Sequence, residues 1–170
     1  VQVDGDVVVE PGATLTLARG ARLRFAASDN RQSGFDPTRC EFIVYGGLLL
    51  EGQVRCESGA AAPRADDWAG LLLMDGQPLD IDQLQLAHAR YGLVRTRLPA
   101  GITRFAGVQP LFRDLIVPAG AEMVVDPGAQ LRFAPADLGG SGLSPQLSEL
   151  VIEGRLSAEG GAFTVAQASD

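Results

Sequence analysis

One phrase occurs twice in this chain, 108 residues apart, and this repeat constrains the fold more than any other feature. "VVVEPGATLTLARGARLRF" runs from Val7 to Phe25, and "LIVPAGAEMVVDPGAQLRF" runs from Leu115 to Phe133. From residue 7 to residue 58 the copies align without a gap and share 18 identities, where unrelated sequences would share roughly three or four. The chain therefore contains an internal duplication.

The duplication divides the chain into three stretches. Copy one covers about residues 3–65, residues 66–110 have no second copy, and a partial second copy covers residues 111–170. With 170 residues, of which 46% are hydrophobic, the chain can bury a substantial core. We therefore expect a single domain over residues 1–170.

Apolar residues alternate with polar ones over short stretches, which predicts strands rather than helices. Pro-Gly and Gly-Gly pairs separate these stretches and mark tight corners. Strands this short need an equivalent strand one coil further along, so the pattern predicts an all-β solenoid. Loops are expected at Ala26–Arg39 and Ala134–Leu147, and a strand with one bulge, less readily a helix, at Asp80–Arg90. The residues expected to point inward are Val9, Leu17, Phe25, Val117, Val125 and Phe133.

Four phrases carry a family resemblance: "VVVEPGATLTLARGARLRF", "EFIVYGGLLLEG", "DDWAGLLL" and "LQLAHARYGL". They resemble the right-handed parallel β-helix repeats of secreted and surface bacterial proteins with the pectin-lyase-like superfold. The resemblance implies that fold, and an extracellular or cell-surface location. It also implies that Trp68 begins a strand that packs on the coil below, which we favour over a sugar-stacking role. Corner glycines and core positions carry the match, so it says little about function.

Lyases and glycosidases with this fold use clustered acidic residues, whereas the acids here are scattered along the sequence. Asp66 and Asp67 are adjacent; in a corner both could reach a calcium ion, although a solvated corner is the favoured interpretation. Asp80 and Asp82 could share a strand face, most simply as a charged outer row. The scattered residues are Asp4, Asp6, Asp29, Asp36, Asp66, Asp67, Asp75, Asp80 and Asp82.

His88 is the single histidine of the chain, and no nucleophile motif such as G-x-S-x-G accompanies it. We interpret it as a surface or half-buried strand residue. No phosphate-binding loop or zinc-ligand spacing is present in the sequence. We therefore predict no catalytic residue and no cofactor, and no activity that depends on His88, Asp66 or Asp67.

The two cysteines, Cys40 and Cys56, align with Ser148 and Thr164 in the second copy. Because both are absent there together, they are candidates for a pair. Their spacing is slightly less than one coil, which would bring the chain back near its start. A disulfide, two unpaired buried thiols, and a metal or catalytic role all remain open; a disulfide would indicate an oxidising compartment.

The formal net charge of −7, with every basic residue an arginine, argues against nucleic acid and anionic membranes as partners. No apolar run approaches the ~20 residues of a membrane helix. We expect a non-catalytic extracellular β-helix module, a stalk, adhesin segment or scaffold, that contacts another protein or a surface glycan. The alternative is a carbohydrate-binding or carbohydrate-active β-helix, such as part of a polysaccharide lyase or hydrolase.

The ends of the chain carry a further expectation. The second copy stops before any counterpart of "DDWAGLLL", and "GGAFTVAQASD" reads as one more strand followed by a tail. A solenoid ending mid-unit exposes strand edges. We expect either continuation in a longer repeat protein, which is favoured, or self-association through the ends.

Overall fold

Strands form almost all of the regular structure. The computed structural model describes residues 1–74, 76, 78–137, 142–144 and 146–165. Within these ranges there are eighteen strands of two to seven residues and one short 3-10 helix, and the paired strands run parallel. The prediction of an all-β chain with parallel strands is confirmed. No helix in the described part has the length and apolarity needed to cross a membrane.

The chain divides into two compact units, Val1–Val94 and Arg95–Asp170, where the sequence predicts one domain. The boundary falls inside the stretch that has no second copy. Each copy of the repeated phrase therefore lies in its own unit.

Ten strands begin in the first unit. Their hydrogen-bonded orders are β1-β4-β7-β9, β10-β8-β5-β2 and β3-β6, so the early strands each pair with the strand three places later. This order is compatible with a β-solenoid, in which each turn of chain stacks on the previous one. The strands are β1 (Gln2–Val3), β2 (Val7–Val9), β3 (Thr14–Leu17), β4 (Arg22–Phe25), β5 (Glu41–Val44), β6 (Gly47–Leu50), β7 (Val54–Ser58), β8 (Trp68–Leu73), β9 (Leu84–Leu86) and β10 (Ala89–Arg95).

In the described part of the second unit there are eight strands, in the orders β11-β14-β17, β12-β15-β18 and β13-β16. Here too each strand pairs with the strand three places later. The strands are β11 (Gly101–Phe105), β12 (Val108–Leu111), β13 (Leu115–Val117), β14 (Ala121–Val125), β15 (Gln130–Phe133), β16 (Leu150–Ile152), β17 (Arg155–Ser157) and β18 (Ala162–Val165).

Strand registers in the two units agree for two pairs of strands and differ for the third. Partner residues are 35 positions apart in β2-β5 and in β13-β16, and 33 apart in β3-β6 and in β14-β17. In β4-β7 the separation is 33, but in β15-β18 it is 32. The corner before β18 is therefore one residue shorter. As a result Leu23 pairs with Cys56 while Leu131 pairs with Phe163, and not with Thr164 as the gap-free alignment predicts.

Alternating side chains build an apolar core inside each unit. Of the six residues predicted to point inward, five are buried: Val9, Leu17, Phe25, Val117 and Val125. The sixth, Phe133, is half-buried and packs at the edge of the second core. The inward prediction is thus confirmed for five of the six residues, in both units, and Phe133 is the partial exception.

The corners require glycine where one coil crosses closely over another. A Cβ on Gly46 would lie 2.2 Å from the Ala13 carbonyl oxygen, and a Cβ on Gly154 would lie 2.3 Å from the Ala121 carbonyl oxygen. Real Cβ atoms do not approach backbone oxygens this closely, so a larger residue would force the coils apart. These two glycines occupy the same position in the two copies.

The predicted loop Ala26–Arg39 contains no strand, which confirms it. Its counterpart Ala134–Leu147 lies partly outside the described residues, as do Asp75 and the end of the chain from residue 166. In the Asp80–Arg90 stretch, a 3-10 helix at Ile81–Gln83 precedes β9. The prediction of a strand there holds only from Leu84 onward.

Candidate functional site

Several residues that the sequence singles out lie together at one corner of the first unit, between β7 and β8. Trp68 is fully buried, stacks on Phe25 with ring centroids 4.4 Å apart, and donates its indole N–H to the Ala87 carbonyl at 2.8 Å. Core packing of Trp68 is therefore confirmed. Its hydrogen bond brings the start of β8 against the residue that precedes His88.

Asp67 is the hydrogen-bond acceptor that organises this corner. Ser58 Oγ donates to Asp67 Oδ2 at 2.6 Å, and the Arg64 amide donates to the same oxygen at 2.9 Å. The bond from Ser58, the bond from Arg64 and the nearby His88 hold the pKa of Asp67 below its usual range. The Asp67 carboxylate thus fixes the turn that leads into β8.

The backbone at this corner is strained at two positions. Asp66 has φ = 68° and His88 has φ = 64°, a left-handed region that L-residues seldom occupy. The Asp66 carbonyl accepts a hydrogen bond from Arg39 Nε at 2.8 Å, and His88 Nδ1 is buried without a hydrogen-bond partner within the described residues. Neither residue has the hydrogen-bond geometry of a catalytic pair.

The corner does not assemble a nucleophile. Ser58 is only 4% exposed and donates its hydroxyl hydrogen bond to a carboxylate, whereas the serine of a Ser-His-Asp triad donates it to an imidazole. Among the residues that the structure describes, no group of three or more His, Cys, Asp and Glu side chains could hold a metal ion. The Asp67 carboxylate pairs with the donors of a largely exposed turn that leads into the buried strand β8.

Asp80 and Asp82 do not form an outer row on a strand, because Asp82 lies in the 3-10 helix and Asp80 directly precedes it. Asp80 Oδ1 accepts the Asp82 amide at 3.2 Å, and Asp80 Oδ2 accepts Gln83 Nε2 at 2.7 Å. The prediction of a shared strand face is wrong here, since a local Asx turn uses the Asp80 carboxylate.

The structure gathers acids that are scattered in the sequence. Glu41 is 1% exposed, although it faces outward from β5, because the loop 26–39 covers it. Its Oε2 accepts the Phe35 amide at 2.6 Å, and its Oε1 accepts the Asp36 amide at 3.2 Å. The Glu41 amide in turn donates to Asp6 Oδ1 at 2.8 Å. Asp6, Gly34 and Glu41 together fasten the loop to the strand, and we call them the first latch.

Gly34 leaves the space in which the two carboxylates of the latch meet. It has φ = 72°, and a Cβ there would lie 2.8 Å from Asp6 Oδ2 and still closer to Glu41 Oε2. Ser33 Oγ donates to Asp6 Oδ2 at 2.7 Å. Only glycine therefore fits at position 34, for both conformational and steric reasons.

The second unit repeats the latch with Asp114, Gly142 and Glu149, which we call the second latch. The Leu143 amide donates to Glu149 Oε2 at 2.6 Å, and the Glu149 amide donates to Asp114 Oδ1 at 2.8 Å. Gly142 has φ = 73°, and a Cβ there would lie 2.0 Å from Glu149 Oε2. The two latches agree in residue type, in glycine conformation and in two hydrogen bonds: a loop amide to the glutamate Oε2, and the glutamate amide to the aspartate Oδ1.

The latch was visible in the sequence only as identities between the copies. Gly34 matches Gly142 and Glu41 matches Glu149, but their contact with a residue before β2 depends on how the coils stack. The signal that could have revealed the latch is an acid that both copies share on an otherwise apolar strand.

Both cysteines are buried and free, in one apolar cluster of the first unit. Burial, and then the charges of Asp29 and Asp6, raise the pKa of Cys40 to about 11. Burial raises the pKa of Cys56 to about 12. The thiols are therefore protonated and poorly nucleophilic near neutral pH.

Comparisons with protein-family models, with curated proteins and with solved structures found no match.

Proposed function

We propose that the chain is a right-handed parallel β-helix of the pectin-lyase-like type, with two copies offset by 108 residues, and that it acts as a non-catalytic scaffold. It works at a bacterial surface or outside the cell, as a stalk or adhesin segment. Its long loops contact another protein or a surface glycan.

One observation carries this proposal: both copies use their shared acids to hold a loop. In an enzyme of this fold the carboxylates face the substrate, whereas Glu41 is buried and its oxygens are occupied by loop amides. In the second latch Glu149 accepts one loop amide, from Leu143, and Asp114 accepts the Glu149 amide. Stacked strands that fasten a loop within a unit suit a scaffold for contacts.

A carbohydrate-binding role is the second candidate, and one surface feature favours it. Arg22 pairs with Arg55 and Arg55 pairs with Gln85 across β4, β7 and β9, and the three side chains line a cavity of about 190 Å³. Guanidinium and amide groups at strand spacing match carboxylates and hydroxyls of an extended sugar chain.

A pair of variants separates the two candidates. In one, residues 27–32 of the loop are replaced by a Gly-Ser segment, which leaves Ser33 and the first latch in place; in the other, Arg22 and Arg55 are changed to Ala. Binding to intact bacterial cells and to a glycan array is measured for both, after circular dichroism shows that each variant folds. The scaffold proposal expects the loop variant to lose binding and the arginine variant to keep it.

Turnover of polysaccharides tests the non-catalytic part of the proposal. Release of reducing ends from neutral and acidic polysaccharides is followed for the unmodified chain and for Asp67→Asn and His88→Ala. We expect no release above the level of a heat-denatured sample. Turnover that disappears in either variant would overturn the proposal.

A further inference from the structure

The two latches differ in one carboxylate, and this difference has a functional consequence. Asp36 lies beside Glu41 in the first latch, and its amide binds Glu41 Oε1 at 3.2 Å. The matching residue of the second latch is Ser144. Glu41 therefore faces two carboxylates, Asp6 and Asp36, whereas Glu149 faces one from its latch.

We infer that the first latch is a proton-controlled fastener, which holds the loop 26–39 closed while Glu41 is protonated and loosens it when Glu41 ionises. This inference goes beyond the proposed function and does not depend on it, because it concerns closure of the loop and not the partner that the loop contacts.

The surroundings of Glu41 carry the argument. The side chain is 1% exposed, so its ionised form loses hydration. Asp36 is itself held ionised: although burial opposes it, hydrogen bonds from Thr38 and the charge of Arg39 keep the pKa of Asp36 low. The titratable or charged groups around the latch are Asp6 before β2, Asp29, Arg31, Asp36 and Arg39 in the loop, and Tyr91 on β10.

Two amide donors lower the pKa of Glu41, but they do not outweigh burial and the nearby negative charges. The Phe35 and Asp36 amides favour the carboxylate form of Glu41, whereas burial and the charges of Asp6 and Asp36 favour the acid form. The balance raises the pKa of Glu41 from 4.5 to about 7. Ionisation therefore falls near neutral pH, and it adds a third negative charge at the point where the loop meets β5.

The direction of the pH effect follows from linkage. With the loop closed, Glu41 binds its proton more tightly than with the loop open, where its ordinary pKa of 4.5 applies. Closure is therefore most favourable below about pH 4.5 and loses that advantage as the pH rises to about 7. Within this window the opening equilibrium rises by up to about tenfold per pH unit, with a ceiling of about 300-fold.

Arg39 connects this fastener to the corner cluster. Its Nη1 pairs with Asp36 Oδ2 at 3.2 Å, and its Nε donates to the Asp66 carbonyl at 2.8 Å. The Tyr91 hydroxyl also donates to Asp36 Oδ2, at 3.3 Å. Opening of the loop would therefore withdraw the one hydrogen bond that Arg39 Nε donates to the strained backbone at Asp66.

Amide hydrogen exchange measured by NMR between pH 5 and pH 8 tests the inference on the full chain. Protection factors, which are corrected for the intrinsic pH dependence of exchange, are compared for Phe35 and its counterpart Leu143. We expect protection of Phe35 to fall at least tenfold across the range and to level off near the midpoint of the Glu41 side-chain carboxyl ¹³C titration. Protection of the Leu143 amide should change less, because its acceptor Glu149 has no second carboxylate beside it.

Two variants make the test decisive. Glu41→Gln carries no ionisable proton, so protection of Phe35 should become independent of pH. Asp36→Ser copies the second latch and should lower the midpoint; it serves alone if Glu41→Gln does not fold. Constant protection of Phe35 in the unmodified chain, or the same slope in Glu41→Gln, would overturn the inference. So would an unchanged midpoint in Asp36→Ser.

Discussion

Replacing Phe25 by alanine should destabilise the first unit more than any comparable change in the second. Phe25 is fully buried, stacks on Trp68 with an angle of 4° between the rings, and lies 6.3 Å from the Phe42 ring centroid. A buried Phe→Ala change costs about 3–5 kcal/mol, and a stacked aromatic pair adds about 0.5–1.5 kcal/mol beyond its buried area. We therefore expect a loss in the free energy of unfolding of about 4–5 kcal/mol.

The duplication supplies a matched control, because Phe133 occupies the same place in the second copy and is only half-buried. Its removal leaves a smaller cavity, so we expect Phe133→Ala to cost about half as much. Leu49→Ala is the exposed control in the first unit, since Leu49 is 53% exposed, and should change stability by less than about 0.5 kcal/mol.

Urea unfolding measures these differences. Trp68 is the single tryptophan of the chain, so its fluorescence reports on the first unit, and far-ultraviolet circular dichroism reports on both. The variants should lower the midpoint with little change in the denaturant slope. The reasoning is refuted if Phe25→Ala costs less than ~2 kcal/mol, or if Phe133→Ala costs as much as Phe25→Ala.

Three further outcomes can be checked. Gly34→Ala should destabilise the chain more than Gly12→Ala in thermal unfolding, because a Cβ at Gly12 meets nothing within 4 Å and costs only left-handed strain, ~1–2 kcal/mol; equal losses would contradict a steric role for Gly34. Folding lowers the pKa of Asp67, so the unmodified chain should lose stability as the pH falls below 3.8. Asp67→Asn should lack this part of the acid dependence, and unfolding curves with unchanged acid dependence would exclude this. In a thiol-reagent assay at pH 8, Cys40 and Cys56 should react only after unfolding, because burial raises both pKa values; rapid reaction of the native chain would disprove it.

The sequence determined the class of fold because period-two alternation and corner glycines are local signals. Val9, Leu17 and Phe25 alternate with polar residues, and that pattern alone aims them at a core. The 18 identities likewise show the duplication without any structure. Register was predictable only in part: the one-residue shift that pairs Leu131 with Phe163 comes from the length of a corner, which identities on either side do not reveal.

Only the tertiary structure decided which polar residues act together. Asp6 and Glu41 are 35 positions apart, and stacking of one coil on the next brings them into contact across Gly34. Asp67 and Ser58 are only nine positions apart, and the turn between β7 and β8 brings them together. The alternation of apolar and polar residues tells which face of a strand a side chain takes. Which residues lie beside that side chain depends on how the next coil stacks on the strand. The acids therefore look scattered along the chain, although folding brings several of them into contact.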